Sequence, residues 1–237
     1  MKLSIVIPVY NEEAIIEETL SVLSTVMVKL PREIDWEIVV ADNGSTDQTR
    51  TKVIESKLPK VSFFSIKEKG KGLGIRSVAM KSEVDFFGFI DADLSANPES
   101  IISMLEILQT KKADIVIGSR LIDESRVHRS IFRTISSKIF NFIQRMILGL
   151  NIKDTQCGLK IMNKTGLEVF KMCKEKSWFF DVEFLCLAKK KNLKISELPV
   201  YWEEYRYKDR KAKLKVVRDG FSAIITMIKI KNRLNKK

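Results

Sequence analysis

The stretch Phe86-Phe87-Gly88-Phe89-Ile90-Asp91-Ala92-Asp93-Leu94 decides how the chain folds and points to where its chemistry lies. Its first five residues are apolar, the pattern of a strand buried on both faces, and the run stops abruptly at two carboxylates separated by one residue. Ionised carboxylates are too costly to bury inside a sheet, so they belong at its edge. At the carboxyl end of a strand they reach the crevice where open α/β sheets bind ligands, and a pair of them can hold a divalent cation through oxygen ligands. Two acids this close can equally be solvated, or cap the helix that Asn97-Pro98-Glu99 opens. The choice rests on what the chain brings beside them.

Outward from this stretch, strand and helix patterns alternate. Leu3 to Val9 is an apolar strand, and apolar residues then recur at helical spacing from Glu12 to Leu30. Trp36 to Ala41 is a second strand, followed by the turn residues Asp42-Asn43-Gly44-Ser45-Thr46-Asp47 and a helix over Gln48 to Ser56. Val61 to Ile66 is a third strand. It runs into the basic, glycine-rich Lys67-Glu68-Lys69-Gly70-Lys71-Gly72-Leu73-Gly74 and a helix to Met80. After Asp93 come a helix from Pro98 to Gln109 and a fifth strand, Ala113 to Gly118, ending in Ser119-Arg120. This alternation predicts an α/β domain with a mostly parallel sheet flanked by helices. A parallel sheet sets all its strand ends on one rim, so Tyr10 to Glu12, Asp42 to Asp47, Lys69 to Gly72, Asp91 to Asp93 and Ser119-Arg120 should meet in one cleft.

Beyond Arg120 the alternation lapses. Ile131 to Leu150 reads as an amphipathic helix with Ile135, Ile139, Phe142, Ile143 and Met146 on one face, followed by a short strand at Leu159 to Met162 and a helix from Thr165. A further strand is expected near Leu193 to Ile195, then Leu198 to Glu203. The last helix, Lys213 to Leu234, is basic with apolar residues interleaved. The organisation expected is one domain over residues 1–210 and a basic amphipathic helix over 211–237.

The 237 residues carry a net charge of +12, and its placement matters more than its size. Arg206 to Lys237 hold twelve Lys or Arg against two Asp. Such a tail suits nucleic acid, an anionic membrane or an acidic partner, or is simply solvated. Few aromatics accompany it and no nucleic-acid motif does, so a nucleic-acid-binding module is the weaker rival reading. Cys157, Cys173 and Cys186 form no C-x-x-C pair, which argues against a zinc site or disulfide framework and for a reducing compartment. The first strand starts within three residues of Met1, so no signal peptide is expected there, and no apolar run reaches the roughly 20 residues that span a bilayer.

The rim residues together describe a site for a nucleotide diphosphate. Asp91 and Asp93 would take a cation, Lys69 and Lys71 would meet phosphate, and the glycines between them would let backbone approach closely. Lys69-Gly70-Lys71-Gly72 lacks the spacing of the P-loop and of the dinucleotide fingerprint. Asp42 suits an exocyclic group of a base, while Ser45 or Asp47 suits a helix cap. His128, the lone histidine, reads as a surface or phosphate-facing residue, and no Ser, His and Asp grouping supports nucleophilic hydrolysis.

In order, Pro8-Val9-Tyr10-Asn11-Glu12, Asp42 to Asp47, Lys71-Gly72-Leu73-Gly74, Asp91-Ala92-Asp93 and Gly118-Ser119-Arg120 resemble the family 2 glycosyltransferases of GT-A (Rossmann-like) fold, over nearly the whole chain. In the second half, Arg129 to Arg133, Asp154-Thr155-Gln156-Cys157-Gly158-Leu159-Lys160, Trp178-Phe179-Phe180-Asp181-Val182-Glu183 and Leu198 to Trp202 resemble the dolichyl-phosphate and polyprenyl-phosphate sugar synthases, particularly their glucosyltransferase branch. The resemblance implies that Pro8, Tyr10, Glu12 and Asp42 contact the nucleoside, that Asp91 sits by the ribose or diphosphate, and that Asp93 binds Mg or Mn. Arg120, Arg133 and Ser137, with Arg126 or Arg129, would meet donor diphosphate and acceptor phosphate. Mannose-type members carry a Gln where this chain has Ser95, which favours UDP-glucose over GDP-mannose as donor. The implied reaction is an inverting hexosyl transfer to a polyprenyl phosphate, with a soluble or polysaccharide acceptor as the alternative.

A chain with a lipid acceptor and no spanning helix must come to the bilayer, so a peripheral position on a cytoplasmic membrane face is expected. The candidate contact is the last helix, whose Leu214, Val217, Phe221, Ile224, Ile225 and Ile228 recur at three- and four-residue intervals between lysines. Packing of that stripe on the domain, on a second subunit or on a membrane partner is the alternative.

Overall fold

The computed structural model describes residues 1–128, 131–203 and 216–235. In chain order the elements are β1 (Lys2–Val9), α1 (Ile16–Met27), β2 (Asp35–Asp42), α2 (Thr49–Glu55), β3 (Val61–Ser65), α3 (Lys71–Ala79), β4 (Phe86–Phe89), α4 (Ser100–Gln109) and β5 (Ile115–Ser119). There follow β6 (Arg126–His128), α5 (Ile131–Leu148), β7 (Lys160–Asn163), α6 (Lys164–Lys171), α7 (Phe180–Lys190), β8 (Ile195–Pro199), β9 (Tyr201–Glu203) and α8 (Val216–Asn235).

Seven strands form one sheet in the order β3-β2-β1-β4-β7-β5-β8. All neighbours are parallel except β7, which runs antiparallel between β4 and β5 with Phe89 opposite Lys160. The reversal has a direct consequence for the rim. A strand running the other way enters the sheet at the edge where the rest leave it, so the segment preceding β7, Asp154 to Leu159, arrives beside the ends of β4 and β5. The small parallel pair β6-β9 extends this side.

Period-two alternation divides the apolar residues between the two faces of the sheet. Ile5, Ile7, Ile38 and Val40 pack with Leu20 and Leu23 of α1 and with Met104 and Leu105 of α4. Val6, Val39, Phe87 and Phe89 pack with Ile75 of α3, Phe170 of α6 and Phe184 of α7. Phe170 is the hub of the second face, with ring centroids 5.1 to 6.1 Å from Phe87, Phe89, Phe180 and Phe184.

Strand β6 and the position of β8, at Ile195–Pro199 and not near Leu193 to Ile195, depart from the sequence reading, and three helices change it further. The Trp178 to Glu183 segment leads into a helix that periodicity does not reveal, because every residue from Phe180 to Ala188 is buried and no polar face is left to mark a period. The five apolar residues grouped on one face of α5 separate: Ile143 packs inward with Phe140 and Ile147, whereas Ile135, Ile139, Phe142 and Met146 face solvent. Helix α8 docks on the domain through Met227 and Ile230, which are fully buried, while Ile225 and Ile228 remain exposed. Of the expected stripe, Leu214 lies outside the described residues, as do the side chains of Val217 and Phe221.

Truncating Phe170 to Ala should remove the centre of the aromatic cluster and cost about 3–5 kcal/mol, read as a lowered urea midpoint with unchanged m-value. The cysteines give a second test. Burial pushes the thiols of Cys157 and Cys186 up to about 11 and about 12, and raises Cys173 as well. A raised pKa keeps a thiol protonated until the pH reaches it, so at mildly alkaline pH iodoacetamide should label none of the three in native protein and all three in urea.

Candidate active site

The rim is braced before any ligand arrives. Asn11 adopts a positive φ of 52° at the end of β1; its backbone N–H donates to Ser45 Oγ at 2.9 Å, and its Oδ1 accepts from the Thr46 N–H at 2.8 Å. Asp42 is buried and closes the turn after β2, accepting from the Ser45 N–H and from Ser65 Oγ, both at 3.0 Å. Asp47 lies just before α2, whose N-cap position is Gln48, and accepts from the Thr49 backbone N–H at 3.0 Å. Glu12 is also buried, and Pro8 sits inside β1 opposite Ala41. Of the four residues assigned to the nucleoside, Tyr10 is therefore the one most open to the cleft.

The basic loop ties two strand ends together. Lys69 donates to the Tyr10 hydroxyl at 2.8 Å and lies 4.8 Å above its ring, while Lys71, two residues on, pairs with Asp91 at 2.5 Å. The glycines between and after them serve packing. A side chain at Gly72 would meet Phe180 at 2.5 Å, and one at Gly74 would meet Asn43 at 2.5 Å, so α3 can lie against α7 and the β2 turn only with hydrogen at these places. Packing thus gives these glycines a reason beyond the phosphate approach that the sequence suggests. Gly158 is constrained most tightly: a Cβ there would fall 2.1 Å from Asp91 Oδ2.

Beneath Lys71 lies a second, fully buried ion pair that sequence reasoning passed over. Lys160 of β7 reaches Asp181 of α7 at 2.8 Å and donates to the Cys157 carbonyl at 2.6 Å. A lysine in the apolar run Leu159 to Met162 was the available signal, since a buried charge demands a partner. Burial pulls the Lys71 ammonium down, but Asp91 and Asp181 more than offset it and its pKa is raised. Burial pushes the Asp181 carboxyl up, against the opposing pull of Lys160 and Lys71. Asp91, Asp93 and Asp181 thus share two ammonium groups, and the cluster holds one acid more than it has cations.

Arg120 is held by the segment that the reversed strand brings to the rim. Its Nε and Nη2 donate to the two oxygens of fully buried Asp154 at 2.7 and 2.8 Å, its backbone N–H donates to the same carboxylate at 2.9 Å, and its guanidinium lies 4.6 Å from the Trp202 ring centre. Burial raises the Asp154 carboxyl and the arginine lowers it further, so the net shift is downward and the pair stays ionised well into acid. Arg120 is accordingly a fixed donor and not a mobile charge. Ser137 lies half-buried in α5, and Arg133 falls in the first turn of that helix. Arg129 lies outside the described residues. His128 is exposed and packs on Tyr201 at 5.5 Å.

Among the described residues no three His, Cys, Asp or Glu side chains cluster as a preformed metal cage. Asp91 and Asp93 are both half-exposed at the end of β4, and the Asp93 carboxylate is oriented by the Ser95 backbone N–H at 3.0 Å. Two oriented carboxylates in a cluster with one surplus acid fit a Mg-type cation, which keeps waters and takes its other oxygens from substrate phosphates.

The sequence model of Glycosyl transferase family 2 matches residues 4–170, more than half of the chain and the site residues from Pro8 to Lys160. The chain belongs to this family. It is 33% identical over 217 residues to a dolichyl-phosphate beta-glucosyltransferase of Trichomonas vaginalis, covering 85% of this chain and 65% of that protein. It is 33% identical over 221 residues to the dolichyl-phosphate beta-glucosyltransferase of Homo sapiens, covering 86% and 68%. The chain spans about two thirds of the length of these relatives. Its fold superposes on glucosyl-3-phosphoglycerate synthase of Mycobacterium tuberculosis in complex with Mn2+, UDP and glucosyl-3-phosphoglycerate with a TM-score of 0.73 at 19% identity, over 98% of this chain and 80% of that one. The architecture is that of a GT-A glycosyltransferase, and the chain is an enzyme of that class.

Replacing Asp154 of the transferase by Asn should cost about 3–5 kcal/mol in urea unfolding, because it strands the Arg120 charge in a buried place. The double variant Arg120→Met with Asp154→Leu should recover most of that loss, since removing both charges leaves neither unpaired.

Proposed function

We propose that the transferase moves a hexosyl group, glucose from UDP-glucose in preference to mannose from GDP-mannose, onto a polyprenyl phosphate of the dolichyl type with inversion at the anomeric carbon. The observation that carries this reading is the rim cluster of Asp91, Asp93 and Lys71, which the cradle at Gly158 fixes beside Arg120 and which suits a nucleotide diphosphate. The names of the relatives support the lipid phosphate and the glucose.

In this reading the donor enters with its base toward Tyr10 and its diphosphate toward Asp91 and Asp93. A bound Mg or Mn ion, held by Asp93 and Asp91, supplies positive charge for the leaving diphosphate. Lys71 is the movable cation of the site. Its aliphatic stem begins at the first residue of α3 and its ammonium can pass from Asp91 to a phosphate oxygen, while Asp181 and Lys160 below stay fixed. Lys69 contributes charge from the Tyr10 side. Arg120, clamped by Asp154 and backed by Trp202, presents its outer guanidinium edge, and Arg133 with Ser137 and Arg129 would meet the acceptor phosphate.

A phosphate monoester is a dianion above its second pKa of about 6. Its oxygen therefore attacks the anomeric carbon with no proton to remove, as the bond from that carbon to the diphosphate breaks and the electron pair leaves on the diphosphate. No general base is required. The protein's contribution is alignment of the two substrates and compensation of two anionic groups. Among the buried N–H donors without a hydrogen-bond partner in the described residues, Trp202 Nε1 and Gln156 Nε2 flank the Arg120 clamp.

Incubation with labelled UDP-glucose or GDP-mannose and polyprenyl-phosphate-containing membranes tests the substrates. Label should pass into organic solvent from UDP-glucose; label confined to the aqueous phase would favour a soluble or polysaccharide acceptor. The variant Asp93→Ala should lose transfer by about a thousandfold with its urea midpoint unchanged, and wild-type turnover by that variant in excess chelator would overturn the cation role.

A further inference from the structure

Four large apolar side chains of α5 stand in solvent. Ile135, Ile139, Phe142 and Met146 are 52, 56, 63 and 72% exposed, and their spacing of four, three and four residues lines them along one side of the helix. Other exposed apolar residues, such as Val28, Ile54 and Met80, occur singly on separate elements and need no explanation. Lys138 and Arg145 are exposed on the same side of α5, and no Asp or Glu occurs anywhere in that helix. Helix α8 packs against α5 and exposes Ile225 and Ile228 with Lys229 and Lys231.

We propose that the exposed side of α5, extended by Ile225 and Ile228 of α8, is a docking surface for an anionic lipid bilayer. The charge pattern selects this occupant. A second copy of the chain meeting the first across a two-fold axis would set the patch against itself, placing Lys138 and Arg145 near their own counterparts with no acid of α5 to compensate them. A bilayer accepts both features at once, the apolar side chains at the acyl boundary and the basic ones among lipid phosphates. The surface adds to the one that the sequence suggests: α8 buries Met227 and Ile230 in the core and exposes Ile225 and Ile228, and among the described side chains the larger exposed stripe belongs to α5.

The opposite side of α5 faces the active site. Asn141 and Gln144 are buried, and their side-chain oxygens accept from Thr155, Gln144 Oε1 at 2.6 Å from Thr155 Oγ1. Thr155 follows Asp154, the clamp on Arg120. One helix therefore separates the docking surface from the segment that sets Arg120, a distance suited to an acceptor whose phosphate must reach the cleft while its chain stays in the membrane. This purpose rests on the lipid-acceptor reading; the exposure and charge of the surface do not.

Flotation of the full chain with phosphatidylcholine–phosphatidylserine vesicles, with neither donor nor acceptor present, tests the proposal. The wild type should float at low salt and less at high salt, and Ile139→Glu with Phe142→Glu should reduce flotation by about tenfold or more at an unchanged circular dichroism spectrum. Phe142→Trp should float like the wild type and gain a blue-shifted emission on vesicles. Equal flotation by the double Glu variant, failure of the wild type to float at low salt, or no blue shift from Phe142→Trp would overturn the proposal. A wild-type dimer that the double Glu variant converts to monomer, without flotation, would assign the face to a second copy. Failure of the lipid-acceptor reading would appear as missing organic-phase label and would leave flotation unchanged.

Discussion

A carboxylate at the end of a buried strand remains useful only if the interior behind it is electrically prepared, and here that preparation is the stacked pair of lysine–aspartate contacts. Lys160 and Asp181 neutralise each other at the centre of the sheet, where an isolated charge would be far too costly, and Lys71 with Asp91 repeats the motif one level nearer the solvent. The upper pair is half-exposed and can exchange partners. The lower pair is fully buried and cannot. Fixing one while leaving the other exchangeable gives the rim a firm floor beneath an adaptable surface.

Much of the second half of the chain serves this arrangement. Strand β7 must run backwards to deliver both Lys160 to the interior and Asp154 to the rim, and the glycine two residues before Lys160 must lack a side chain because the Asp91 carboxylate occupies that space. Helix α7 supplies Asp181 and, two residues later, Glu183, whose carboxylate accepts from the Lys174 and Glu175 N–H groups and pairs with Arg233 of α8. The C-terminal helix is thereby joined to the helix that carries the buried aspartate. An ionic contact of this kind fixes orientation more than it adds stability, while Met227 and Ile230 supply the apolar burial.

Helix α5 divides its surface three ways. Phe140, Ile143 and Ile147 pack with the core, Asn141 and Gln144 grip the Thr155 segment, and the apolar side that remains is exposed. Such a helix transmits position between whatever lies on its outer side and the loop that orients Arg120. It can do so without any large rearrangement, because both contacts are made by the same rigid element.

Apolar periodicity and turn residues are enough to specify the alternating half of the fold. Strands β1 to β5 and their helices were legible because apolar runs end in turn residues at regular intervals, and the rim followed because parallel strands must end together. The family was legible too, in ordered motifs from Pro8 to Trp202. The rest depends on contacts between distant parts of the chain. A helix buried on every side, such as α7, has no period to read, and the direction of β7 depends on a partner far away in sequence. The reason for a glycine is the atom that approaches it, so Gly72 and Gly158 could be understood only once Phe180 and Asp91 were in place. Periodicity can group Ile135, Ile139, Phe142 and Ile143 on one side of a helix, but which of them meet the core depends on the surface against which the helix is laid.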